Sequence, residues 1–169
     1  AICRQKLSVG IAGTHGKTTT SSMLMTVMRA AQLRPSFIIG GDVRGVGSGA
    51  AWDSGEYLVV EADESDGTHE QLPLGAAIVT NIDVDHLDHF ATFDNLVESF
   101  GRFLDGVRGP KVVCADDRSL MHLASTREVA TFALHAPALF TARNVKCLDG
   151  GSTFDVLQHE IAGDAGVVL

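Results

Sequence analysis

The sequence predicts an α/β fold, a mostly parallel sheet flanked by helices, with a small antiparallel β appendage near the C-terminus. Three observations carry that class. Short apolar runs alternate with segments of helical period through the first 127 residues, the pattern of parallel strands joined by crossover helices. The first apolar run passes directly into a glycine-rich loop and then a helix. After about Arg127 the strands instead follow one another across turn residues, which suits antiparallel pairing.

Each element has its own justification. Residues 7–12, LSVGIA, form a buried strand, and the helix over 18–33 carries Met23, Val27, Ala30 and Ala31 at helical spacing, a stripe assigned to the core. Strands follow at 36–39, 57–62 and 76–80, each an apolar run of strand length. Between the first two of these, the glycine-rich stretch 40–55 reads as a long surface loop near strand ends, where α/β proteins place ligand sites. A helix at 93–107, a strand at 112–115 and a short helix at 118–125 complete an α/β core over 1–127. The remainder, 128–169, reads as a small β subdomain with strands at 129–134, 139–148, 154–160 and 167–169, and turns at 149–152 and 163–166. No internal repeat is present.

Composition narrows the function classes. At 169 residues with 45% apolar and 20% charged residues the chain is globular and of single-domain size. Its net charge of −8, with no basic cluster, argues against nucleic acid as a partner. Cys3, Cys114 and Cys147 are far apart and outside any metal-ligand spacing, as suits reduced thiols in a cytoplasmic protein. No secretory, membrane-spanning or lipidation signal is found, so no membrane partner is expected.

The chemistry begins at Gly13–Thr19, GTHGKTT. A glycine-rich loop between strand and helix turns backbone N–H groups toward anionic oxygens; Lys17 would reach the terminal phosphates and Thr18 would offer a hydroxyl to Mg²⁺. Gly13, Thr14, His15, Gly16, Lys17, Thr18 and Thr19 are therefore the candidate ATP-binding residues, and the fold is P-loop NTPase-like. The loop is a variant, because Ile11 stands where the general G-x-x-x-x-G-K-[ST] spacing has its first glycine.

Two further strands aim polar groups at the same edge. The run LVV delivers Glu61 to a strand end, followed by Asp63, Glu64, Ser65 and Asp66. A carboxylate in that place can hold Mg²⁺ beside the β- and γ-phosphates. The strand at 76–80 ends in Asn81, Asp83, Asp85, His86, Asp88 and His89, and His86 is the preferred imidazole ligand of a metal. His69, His122, His135 and His159 read as ordinary surface or core residues.

GTHGKTTT at 13–20, EADESD at 61–66 and TNIDVDHLDH at 80–89, in this order, closely resemble the central ATP-binding domain of the Mur ligase family. IIGG at 38–41, ADD at 115–117 and NVKCLDGGSTFDV at 144–156 extend the resemblance over nearly the whole chain. It implies ATP-dependent amide formation in peptidoglycan precursor synthesis through an acyl phosphate, with no enzyme nucleophile. Carried onto matching positions, Lys17 stabilises the transferring phosphoryl group, Thr18 and Glu61 hold one Mg²⁺, and Glu61 with His86 holds a second. Gly40, Gly41, Glu64, Ser65 and Asn81 are candidates for contacts on the substrate side.

Many members carry a carbamylated lysine after the DH motif, yet no lysine lies between His86 and Lys111 here. That departure resembles the branch joining L-alanine to UDP-N-acetylmuramate. Family members also resemble three-domain enzymes, so the N- and C-terminal domains are expected to lie outside this chain. The chain alone is then expected to bind ATP·Mg²⁺ weakly and hydrolyse it slowly.

Two rivals are weaker. A P-loop GTPase or small-molecule kinase would draw on the D-x-x-G match at Asp42–Gly45, but no N-K-x-D segment accompanies it. A nucleotide-binding regulatory module without ligase activity would not need Lys17, Glu61 and His86 together.

Overall fold

The computed structural model describes residues 2–41, 47–65, 67–84 and 90–159. Nine strands form one sheet: β1 (Leu7–Ala12), β2 (Ser36–Ile38), β3 (Ala50–Ala51), β4 (Tyr57–Glu61), β5 (Ala76–Val79), β6 (Lys111–Cys114), β7 (Ala130–Ala133), β8 (Phe140–Leu148) and β9 (Gly151–Gln158). Their spatial order is β3-β2-β4-β1-β5-β6-β7-β8-β9. All neighbours pair parallel from β2 to β8, and only the two outermost pairs, β2 with β3 and β8 with β9, are antiparallel.

The antiparallel appendage is therefore the β8–β9 hairpin, while β7, expected to belong with it, extends the parallel sheet. The two-residue turn Asp149-Gly150 closes the hairpin, Leu148 pairing with Gly151, and Gly150 takes a positive φ of +87°, which glycine adopts without steric cost. The strand expected at 167–169 and the turn at 163–166 lie outside the described residues.

Helix α1 (Lys17–Ala30) packs on one face of the sheet, where Met25 and Met28 meet Ile11, Phe37 and Val59. Helices α2 (Phe93–Gly106) and α3 (Arg118–Ala124) cover the other face. There Leu96, Phe100, Leu104 and Leu120 pack with Leu58, Val60 and Val79. The alternation of Leu58 and Val60 on one side with Val59 on the other is the period-two pattern of a strand buried on both faces. Among the described residues no helix is long and apolar enough to cross a membrane.

Helix α1 corrects one expectation. Met23 and Val27 are 59% and 65% exposed, and Ala30 and Ala31 are exposed too. The buried stripe is Ser21, Met25 and Met28, one helical face away. The spacing of apolar residues fits either face, and packing of Met25 and Met28 on Ile11, Phe37 and Val59 selects the one that also buries small Ser21.

Candidate active site

Strand β1 lies between β4 and β5, and register sets what its end meets. Ile11 is level with Glu61 and Ala12 with Val79, so the loop after β1 emerges between Glu61 on one side and Thr80-Asn81 on the other. Sequence-distant groups thus converge at the carboxyl edge of the sheet, where open α/β folds bind ligands.

The loop is held from the β5 side by a set of hydrogen bonds. Asn81 makes a reciprocal pair with the backbone of His15: its Oδ1 accepts from His15 N at 2.9 Å, and its Nδ2 donates to His15 O at 2.9 Å. Thr80 Oγ1 donates to His15 O at 2.7 Å, Thr14 N donates to Asn81 O at 3.0 Å, and Thr14 Oγ1 accepts from Asp83 N at 2.9 Å. Gly13 adopts φ +128°, and a Cβ there would collide with Thr80 Oγ1, so both the dihedral and the space favour glycine. Asp117 secures the segment from behind: its carboxylate accepts from Ile82 N at 2.7 Å and caps α3 through Leu120 N at 2.9 Å. His15 and Asp83 form the exposed rim, Nε2 and Oδ2 lying 3.7 Å apart.

On the β4 side, Thr18 Oγ1 donates to Glu61 at 3.0 Å, and Gly40 N donates to the same carboxylate at 2.8 Å. Gly41 lies against Thr18, where a Cβ would stand 3.2 Å from Thr18 Cγ2. Glu64 lies within the loop's own circle. Its carboxylate accepts from Lys17 Nζ at 2.9 and 3.1 Å, and Nζ also donates to Gly13 O at 2.8 Å. The pair is deeply set, with side chains 10% and 1% exposed for Lys17 and Glu64.

Together residues 14–19 and Glu61 line an open polar cleft of about 310 Å³. The chain fits a nucleotide's phosphates there. Helix α1 begins with Gly16 as its N-cap, with neither a capping side chain nor an acid in its first turn, so its first N–H groups are left for an external anion. The donor set also fits Mg²⁺, since Thr18 and Glu61 bring two hard oxygen groups to one point of the cleft. Among the described residues no group of three or more His, Cys, Asp or Glu could hold a metal.

Of the candidate residues, Gly13 to Thr19, Gly40, Gly41, Glu61, Glu64 and Asn81 are brought together. Ser65 sits in a tight turn, its N–H donating to Asp63 Oδ1 at 2.9 Å. Glu64 and Asn81, expected on the substrate side, are bonded to Lys17 and to the loop backbone. His86, with Asp85, Asp88, His89 and Asp66, lies outside the described residues, as does the D-x-x-G match at 42–45. Thr80 and Asp117 are supports that the sequence reading did not single out, and Asp83, which it placed at this edge, serves through its backbone N–H. Their one signal is position, directly after apolar runs that end at the same sheet edge.

Comparison with known proteins follows the same outline. The family model for the Mur ligase middle domain matches residues 11–167. The UDP-N-acetylmuramate--L-alanine ligase of Paracoccus denitrificans is 42% identical over 173 residues, covering 99% of this chain and 36% of that protein. The crystal structure of UDP-N-acetylmuramate-alanine ligase from Thermotoga maritima superposes with a TM-score of 0.80 at 22% identity, over 93% of this chain and 36% of that one. The crystal structure of UDP-N-acetylmuramate:L-alanyl-γ-D-glutamyl-meso-diaminopimelate ligase from Neisseria meningitides gives 0.77 at 28% identity, over 93% of this chain and 53% of that one. The chain thus spans about a third of the length of the curated relative it matches.

Proposed function

The chain belongs to the Mur ligase family through its middle domain, and on that premise we propose that residues 1–169 are the ATP-handling unit of a ligase that joins L-alanine to UDP-N-acetylmuramate. The observation that carries this reading is the joining of Thr18 to Glu61 at the mouth of the Lys17 loop. It brings a phosphate cradle and a cation-holding carboxylate to one point, in a chain 42% identical to an enzyme named for that reaction.

In this reading the carboxylate of UDP-N-acetylmuramate takes the γ-phosphoryl group of ATP, releasing ADP, and the amine of L-alanine then displaces phosphate from the acyl phosphate. No enzyme nucleophile takes part. The protein positions groups and stabilises charge. Backbone N–H groups at the start of α1 bind the phosphates, and the Lys17 ammonium faces the negative charge that accumulates during transfer. Thr18 and Glu61 would hold Mg²⁺, which supplies neutralisation of the β- and γ-oxygens. His86 is carried as a second ligand by its place in the DH motif. The rest of the ligase, N- and C-terminal domains by family analogy, would bring the two substrates and close the site; free thiols and nucleotide chemistry suit a cytoplasmic setting.

The test is phosphate release by the complete ligase with UDP-N-acetylmuramate, ATP·Mg²⁺ and each amino acid in turn. Release that depends on L-alanine is the expected result, and release unaffected by L-alanine would remove the reading. In the same assay Lys17→Ala is expected to lower turnover by roughly 10²- to 10³-fold, as for loss of one preorganised charge-stabilising donor.

A further inference from the structure

The ammonium that should meet the phosphates already faces four acceptors: both oxygens of Glu64, the carbonyl of Gly13 and, at 3.4 Å, the carbonyl of Thr14. A lysine has three N–H donors, so Lys17 is saturated. Its carboxylate partner is more buried than the lysine itself, at 1% against 10% exposure, so the carboxylate has little freedom to withdraw into water. An anion entering from the cleft therefore meets a cation whose charge is balanced from below.

We propose that Glu64 is the resident counter-ion of Lys17, so that triphosphate binding is an exchange of acceptors on one ammonium and Glu64 sets how tightly the terminal phosphates are held. The inference rests on the ATP-binding reading and deepens it. Two physical consequences follow from the pairing. With the Glu64 carboxylate seated on Lys17, the phosphates gain only the part of the Lys17 charge that Glu64 does not already neutralise. When substitution removes the Glu64 charge, Lys17 remains in a largely buried place without that counter-ion, and the phosphates take over its compensation. Glu64 is thus a positioning residue, acting on nucleotide through Lys17.

Glu64→Gln tests this in the complete ligase, because the amide keeps the shape and one acceptor while deleting the charge. Calorimetric titration is expected to show ATP·Mg²⁺ bound on the order of threefold to tenfold more tightly than by the wild type, the range for coupled neighbours. AMP, which lacks the phosphates Lys17 would reach, is expected to bind equally to both. The gain should vanish when Lys17→Ala is also present. If the variant is less stable, a second readout applies: its melting temperature without nucleotide is expected to fall, and the rise on adding ATP·Mg²⁺ to exceed the wild-type rise. Wild-type binding of ATP with unchanged or weaker binding by Glu64→Gln would overturn this inference alone. No ATP binding by the wild type would overturn the reading beneath it and this inference together.

Discussion

The two ends of interest in this sheet are built on opposite plans. At the centre, the loop after β1 is held by residues 65 and more positions away, Asn81, Thr80 and Asp83, just past the end of β5, a strand flanked on both sides. At the edge, β8 and β9 are held chiefly by each other, and every described residue of β9 is exposed. The difference teaches where rigidity comes from. Long-range pairing around a buried strand fixes the loop to within hydrogen-bond geometry, whereas a hairpin stabilised locally opens at small cost.

Matched substitutions can break that contrast. Phe100, fully buried beneath β4 and β5, is expected to cost about 3 to 5 kcal/mol on truncation to Ala, read from urea midpoints. Phe154→Ala, at a residue 52% exposed on β9, is expected to stay within about 0.5 kcal/mol. Equal costs would show that the hairpin is part of the cooperative core.

A smaller effect sharpens the comparison at the level of single amides. Asn81→Ala deletes both bonds to the His15 peptide and is expected to weaken ATP·Mg²⁺ binding about tenfold. Asn144→Ala deletes one exposed bond to Asp155, at 2.7 Å within the hairpin, and is expected to leave that affinity unchanged. Titration of both variants checks the pair.

The smallest effect concerns acid. The Arg102 guanidinium beside Glu70 holds its carboxyl below the ordinary 4.5, overcoming the opposing effect of burial, and Ser99 adds a hydrogen bond. A depressed carboxyl stabilises the fold above its unfolded value and loses that contribution as pH falls through the folded one. Wild-type melting temperature is therefore expected to fall on acidification below about pH 4.5, and Glu70→Gln to flatten part of that fall. Because Arg102 is half exposed the difference should be slight, and weaker still in high salt.

Much of this arrangement is legible in the sequence. Alternating runs give the parallel sheet, and Lys17, Thr18 and Glu61 are recognisable from their places at a loop and a strand end. What escapes is phase. The apolar residues of α1 fit two helical faces, and tertiary contact selects the one with Met25 and Met28. At 63–66 the three acids that follow Glu61 look equivalent, yet burial continues the strand's alternation beyond its end, through Val60, Ala62 and Glu64. Extending the period-two pattern by one step would have singled out Glu64 as the inward acid. Thr80 and Asp117 act through backbone partners far away in sequence, which residue type alone does not disclose.

The central position of β1 also governs when the site can exist during synthesis. Its two neighbours are supplied by residues 57–61 and 76–79, and the amide that pins the loop by residue 81. A ribosome that has released only the loop and α1 has released no phosphate cradle. The nascent polypeptide gains one only when residues 57–81 have followed the loop out, so nucleotide cannot act as a folding template for the loop and α1 alone and must arrive at a sheet already assembled around it.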